Sequence, residues 1–481
     1  MKRSIVSIVL LLALCLSIFP VVGCVQRGGV PDVDLGSGYD GSAVTITFYH
    51  TMGNDLQNVL NTALEDFNKL YPNITVEHKS LGDYDDLRKL IATDMTVGGQ
   101  PNVAYCYPDH VAGYNVSKAV LPLDELINSK YEVTRADGTK EVMGFTQDQI
   151  DSFIKGFYEE GRQFGDGKMY TLPFAKSTEV LYYNKTFFEA NRATFEAEGI
   201  AIPGDAPLTW DDMEAICRKI KELEPASTPL GYDSESNWFI TMCEQAGSPY
   251  TSATGDNYLF DNETNWAFVE RFASWYANGW ITTEALSGGY TSGKFVLAEG
   301  ENGKSYMSIG SSAGAKYQRP TKGADGYPFE VGITTIPQLD INNPKVISQG
   351  PSICIFKDAN EQEVYASWLL VKFLTTDVDY QYAVSTANGY VPAIKTVHND
   401  EIYQAFLNSA DGGDHIQALS AKQCLAQENA YYTSPAFNGS SKAREEVGLL
   451  MQSCFADYEK APDKLAMIKE AFKKCLEECE Y

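Results

Sequence analysis

Between Thr45 and Tyr107 the hydrophobic period switches from two residues to about 3.6 and back, twice over, and no other feature restricts the fold as much. Thr45-Ile-Thr-Phe-Tyr alternates as a strand does. Asp55 to Leu70 then sets Leu56, Val59, Leu60, Ala63, Leu64, Phe67 and Leu70 on one helical face. Ile74-Thr-Val-Glu alternates again, Asp85 to Met95 aligns Leu87, Leu90 and Ile91, and Val103-Ala-Tyr-Cys-Tyr reads as a short apolar strand. Strands separated by helices cross over and lie parallel, so this stretch predicts an open α/β sheet. Sheets of that kind bind small molecules beyond the carboxyl ends of their strands. The predicted loops His50–Asn54, Gly82–Tyr84 and Pro108–His110 fall there.

A second α/β region follows. Thr209-Trp-Asp-Asp212 resembles a capping box ahead of a helix through Ile220. Asn265 to Gly279 is an aromatic-rich helix, Lys304 to Ile309 a strand, and Glu363–Leu374 and Asp377–Ala387 are helices, the latter stopped by Asn388-Gly389. Leu465, Ile468, Phe472, Leu476 and Cys479 mark a terminal amphipathic helix. A chain of 481 residues, 44% hydrophobic, can bury more than one core, so two lobes are expected.

At the N-terminus, Lys2 and Arg3 precede an apolar run from Ile5 to Phe19 that is too short to span a bilayer, so residues 1–23 read as a signal peptide. Val21-Val22-Gly23-Cys24 resembles the lipobox cut before a lipid-modified cysteine, which makes Cys24 the expected lipidation site. Residues 24–42, rich in Gly, Ser and Asp, are read as a flexible tether. A protein anchored by lipid on the extracytoplasmic face of the cell membrane is the expectation.

The net charge of −26 argues against nucleic acid, which demands clustered Lys and Arg. Eight of the ten cysteines lie beyond Cys24, mostly inside apolar periodic segments, where small buried thiols are the usual explanation. Cys475 and Cys479, one helical turn apart, offer half a metal site with no partner pair of ligand spacing. No metal or cofactor is therefore expected, and five histidines arrive without H-E-x-x-H, a P-loop or a dinucleotide fingerprint.

The segment Lys168-Met-Tyr-Thr-Leu-Pro-Phe-Ala-Lys-Ser-Thr-Glu-Val-Leu-Tyr-Tyr-Asn-Lys185 resembles the first inter-lobe crossing of the maltose-binding-like extracellular solute-binding proteins. Leu121-Pro-Leu-Asp-Glu-Leu, Leu208-Thr-Trp-Asp-Asp, Tyr306-Met-Ser-Ile-Gly-Ser, Ile333-Thr-Thr-Ile-Pro and Asn388-Gly-Tyr-Val-Pro follow in family order. The resemblance implies a two-lobed α/β fold of the type II periplasmic-binding-protein class with three hinge crossings, near residues 175, 347 and 395. Residues 43–175 and 348–394 would form lobe I, and 176–347 and 395–481 lobe II. It further implies a monomeric substrate-binding lipoprotein of a bacterial ABC importer, not an enzyme, that captures a polyol-type solute and delivers it to permease subunits.

Within that family the chain most resembles glycerol-3-phosphate-binding proteins, through Phe48-Tyr-His-Thr-Met-Gly, Pro173 to Lys185 and Gly389-Tyr-Val-Pro. The carry-over puts Tyr84, Ser177, Ser311 or Ser312, Gly350 and Tyr390 in the cleft. Asp109 stands in for a family Glu, and Arg444 for a cationic residue expected near the C-terminus. Lys176 either adds a second positive charge or points to solvent.

The chemistry of these residues suits a polyol, because Asp109 can accept two hydroxyl hydrogen bonds while Tyr84 and Tyr390 offer both a ring and a phenol. Trp238 is a further stacking candidate, whereas Trp266, Trp275 and Trp280 sit at helical spacing and read as core. The competing reading is a secreted α/β-hydrolase-like esterase, since Gly310-Ser-Ser-Ala-Gly314 matches G-x-S-x-G with Ser312 as nucleophile. That chemistry needs an oxyanion loop and a downstream Asp and His; His398 and His415 exist, but no HGGG-like segment does. Inside the binding class, glycerol-3-phosphate, a glycerophosphodiester and a sugar all remain open.

Overall fold

The computed structural model describes residues 35–358 and 360–480. The expected leader, the expected lipidation site Cys24 and the expected tether up to residue 34 lie outside the described residues. Strands β1 (Val44–His50), β2 (Ile74–Ser80) and β3 (Val103–Cys106) alternate with helices Asn54–Leu70 and Tyr84–Asp94, and β1 pairs in parallel with both neighbours. Asp83 starts the second helix by accepting the amide hydrogens of Asp85 and Asp86. A small hairpin, β4 (Glu132–Thr134) and β5 (Lys140–Val142), follows.

The chain leaves the first sheet through β6 (Leu172–Pro173) and enters the second as β7 (Ser177–Asn184), every residue of which is buried. Strands β8 (Leu230–Tyr232), β9 (Ile281–Thr283), β10 (Met307–Ser311), β11 (Val331–Thr334) and β12 (Val346–Gln349) complete most of that sheet before β13 (Ser352–Ile355) returns to the first. The short β14 (Tyr431–Tyr432) closes one edge. The orders are β2-β1-β3-β13-β6 and β14-β12-β7-β10-β8-β9, with β11 added against β7. Each sheet has its own core: Phe48, Tyr105, Phe174 and Trp368 in the first lobe, Trp210, Trp238, Phe272 and Trp275 in the second. Trp266 and Trp280 pack half-buried on the latter.

Gly350 makes the second crossing, at φ +87, where a Cβ would stand 2.2 Å from the carbonyl oxygen of Ala175. Only glycine fits so close to another backbone.

Three sequence-based expectations change. Residues 35–42 are not a free tether: Tyr39 is buried in the first core and the amide of Ser37 donates to the Tyr365 hydroxyl at 3.3 Å. The third crossing falls after residue 395, because Val397, Tyr403 and Leu407 all bury themselves in the first core. Pro108–His110 is no loop but the first turn of helix Pro108–Tyr114, with proline at the position where a missing N–H costs nothing. Among the described residues no helix is long and apolar enough to cross a membrane.

Candidate ligand-binding site

A cavity of about 890 Å³ opens between the lobes where the strands cross. The first lobe contributes Tyr84, Tyr107, Asp109, Glu160 and Tyr390; the crossings contribute Ser177, Ser348 and Gly350; the second lobe contributes Glu179, Asp233, Asn237, Glu284, Tyr290, Ser311, Tyr317 and Arg444. Of the sequence-derived candidates, Tyr84, Asp109, Ser177, Ser311, Gly350, Tyr390 and Arg444 share this one wall.

Tyr84 opens its helix and its ring meets that of Tyr107 at a centroid distance of 4.8 Å. Burial and the neighbouring phenols of Tyr107 and Tyr390 hold Tyr84 well above the ordinary phenol range, and burial pushes Tyr390 up to about 12. These phenols stay protonated and can donate to a ligand. Asp109, second residue of its helix, accepts the His110 amide hydrogen at 3.0 Å through Oδ1. At the crossing, the hydroxyl of Ser311 donates to that of Ser177 at 3.3 Å.

The second lobe's polar wall is a linked network. Glu179, in the middle of β7, accepts from the Tyr232 hydroxyl at 2.5 Å and from the Asn237 amide at 2.9 Å. Arg444 donates in turn to the side-chain oxygen of Asn237. Burial lifts Glu179 to about 7 against these hydrogen bonds, and lifts Glu284 to about 7 as well. Asp233, also raised by burial, accepts the Thr291 amide and hydroxyl at 2.7 Å each. A Cβ at Gly310 would lie 2.5 Å from Asp233 Oδ2, so any side chain there would displace that carboxyl. Two buried polar atoms on the wall, Tyr250 Oη and Gln318 Oε1, have no hydrogen-bond partner among the described residues. Such groups are costly unless water or a ligand satisfies them.

Three residues do not do what the sequence suggested. Trp238 is fully buried, stacked on Tyr232 at 4.6 Å and packed on Phe272 at 4.3 Å, so it belongs to the core and not to the cavity. Ser312 is fully buried between the wall residues Ser311 and Ala313, and its hydroxyl accepts the amide hydrogen of Thr178 at 3.3 Å. No serine hydroxyl among the described residues is hydrogen-bonded to a histidine; His398 and His415 bond Pro392 and Asp411 instead. Lys176 neither faces the cavity nor reaches solvent: it is fully buried and pairs with Glu160 at 2.8 Å.

Sequence reasoning missed Glu160, Glu179, Asp233, Glu284, Tyr290 and Tyr317. Glu179 alone left a signal, as an acid inside a strand otherwise fit for complete burial.

Two sheets exchanging strands around a polar, tyrosine-rended cleft define a two-lobed binding-protein fold, and residues 62–407 match the profile of the bacterial extracellular solute-binding proteins. The chain belongs to that family. It is similar to the sn-glycerol-3-phosphate-binding periplasmic protein UgpB of Escherichia coli K12, 26% identical over 180 residues that cover 37% of this chain and 36% of that protein. The match thus spans about a third of that relative's length. In fold it is similar to Mycobacterium tuberculosis UgpB in complex with glycerophosphocholine, at TM-score 0.68 and 14% identity over 91% of this chain and 99% of that one. It is similar also to the substrate-binding protein Lmo0181 of Listeria monocytogenes in complex with cycloalternan, at TM-score 0.69 and 16% identity over 92% and 100%.

Proposed function

We propose that this protein captures a neutral, polyhydroxylated solute, a sugar or short oligosaccharide, between its lobes and hands it unchanged to the membrane subunits of an ABC importer. The observation that carries the reading is the balance of the cavity wall, where five carboxyl groups face a single guanidinium, Arg444. A phosphate dianion wants several donors and cations around it. A sugar wants acceptors for its hydroxyls and flat rings for its apolar faces, which Asp109, Glu160, Glu179 and the tyrosines provide. The volume of about 890 Å³ also suits a solute larger than a three-carbon phosphate.

A second reading rests on Arg444 alone: a glycerophosphodiester could set its phosphate on that guanidinium and its remaining groups against the acids and tyrosines. In either case both lobes contact the solute, so the closed state binds better and occupancy shifts an open–closed equilibrium that the permease senses. The protein acts as a monomer without cofactor or catalysis, held at the extracytoplasmic membrane face through a lipid on Cys24. The buried Ser312 hydroxyl supports the reading against esterase chemistry.

A thermal-shift screen tests this. Maltose, maltotriose, cycloalternan, glycerophosphocholine and sn-glycerol-3-phosphate are added to the mature protein in turn. A ligand at 100 times its Kd stabilises the fold by about 2.7 kcal/mol. The saccharides are expected to raise Tm and sn-glycerol-3-phosphate is not; a shift with the phosphate alone overturns the reading.

A further inference from the structure

Lys176 sits where the first two crossings meet. Its ammonium donates to the Gly350 carbonyl at 3.1 Å and to the Ser352 hydroxyl at 3.4 Å, both at the second crossing. Its backbone exchanges hydrogen bonds with Val391, the residue after Tyr390. The charge is balanced by Glu160, the last residue of helix Lys155–Glu160 in the first lobe, at 2.8 Å from Oε2. Neither side chain has more than 2% of its surface exposed. Ser348 of the second sheet donates to the same Oε2 at 3.0 Å.

One carboxylate oxygen is therefore doubly engaged. The other, Oε1, has no hydrogen-bond partner among the described residues, and Glu160 is part of the cavity wall. A buried carboxylate with a spare oxygen beside a cavity is a strong acceptor whose orientation is already fixed. Resting on the reading of the cavity as a site for a hydroxylated solute, we propose that Glu160 accepts a solute hydroxyl through Oε1, with Lys176 as the positioning residue that holds the carboxylate aimed. The group that meets the solute is then also the group that ties the lobes at the hinge.

The arrangement makes a specific demand on a double-mutant cycle, because Lys176 acts on the solute only through Glu160. The probe is the saccharide of the thermal-shift panel that stabilises the wild type most, followed by calorimetry on the mature protein. Glu160→Leu/Lys176→Met leaves no uncompensated charge, and replacing a buried ion pair by apolar groups is often tolerated. That variant is expected to fold and to bind at least tenfold more weakly than the wild type. Lys176→Met alone is expected to lose affinity several-fold and Lys176→Arg to restore it. The double variant should bind no more weakly than Glu160→Leu where that single variant folds. Wild-type affinity in the double variant overturns the inference, as do additive losses in the cycle. Failure of every saccharide to bind the wild type removes the parent reading and this one with it, and is told apart because no variant is then involved.

Discussion

Lys316 Nζ lies 3.3 Å from Asp55 Oδ2, an ion pair that joins the second lobe to the first beside the cavity. Asp55 stands in the first turn of helix Asn54–Leu70, and Lys316 immediately precedes the cavity-lining Tyr317. The acid is 69% exposed, so the pair is worth about 0–1 kcal/mol and is screened by salt.

Because that contact exists only when the lobes approach, Lys316→Ala is expected to weaken solute binding by no more than about fivefold at low salt, a difference that vanishes near 1 M salt. Titrations at two salt concentrations check it. An unchanged defect at high salt would mean that Lys316 touches the solute itself.

Trp238 and Tyr317 should separate stability from binding. Trp238 is enclosed by Tyr232, Trp210 and Phe272, so Trp238→Ala should cost about 3–5 kcal/mol of unfolding free energy. The milder Trp238→Phe should leave affinity untouched. Tyr317 is 63% exposed on the cavity rim, so Tyr317→Ala should change stability by less than about 0.5 kcal/mol. The same change should lower affinity about two- to tenfold through lost ring stacking. Urea unfolding beside calorimetry reads both quantities.

Glu179 gives the fold a pH dependence with a definite sign. In the folded chain its carboxyl holds a proton up to about 7, whereas unfolding returns it to the ordinary value of 4.5. The folded state thus binds more protons over that interval, and stability present below pH 4.5 is lost as pH rises toward 7. Across the window the loss amounts to about 3 kcal/mol at most. His50 works in the opposite direction: burial lowers it to about 3, so its contribution is lost as pH falls below 6.5. Unfolding of Glu179→Gln and the wild type at pH 5 and 7.5 isolates the first effect, and the variant should gain on the wild type at the higher pH. A constant difference between them would contradict the burial argument.

The alternation of periods between Thr45 and Cys106 was legible in the sequence because each strand and helix buries one repeating face there, and the observed elements begin and end within about three residues of that reading. The placement of single side chains was less so. Trp238 and Ser312 each stand one residue from a wall position, Asn237 and Ser311, and which way a helix or turn faces is set by packing on strands and helices distant in sequence within the second lobe. Lys176 reads as surface or ligand contact because an isolated lysine is almost never buried; its partner Glu160 lies on a different element and shares no pattern with it. The third crossing slipped for a related reason, since Val397, Tyr403 and Leu407 belong to a core assembled from distant segments.

Calorimetric titration of the mature wild-type protein with maltotriose, cycloalternan and sn-glycerol-3-phosphate tests the account most directly. An acceptor-rich cleft with one guanidinium predicts that a saccharide binds with Kd in the micromolar range or below, about −8 kcal/mol or better, and at least a hundredfold more tightly than the phosphate. Tighter binding of sn-glycerol-3-phosphate than of any saccharide would contradict it.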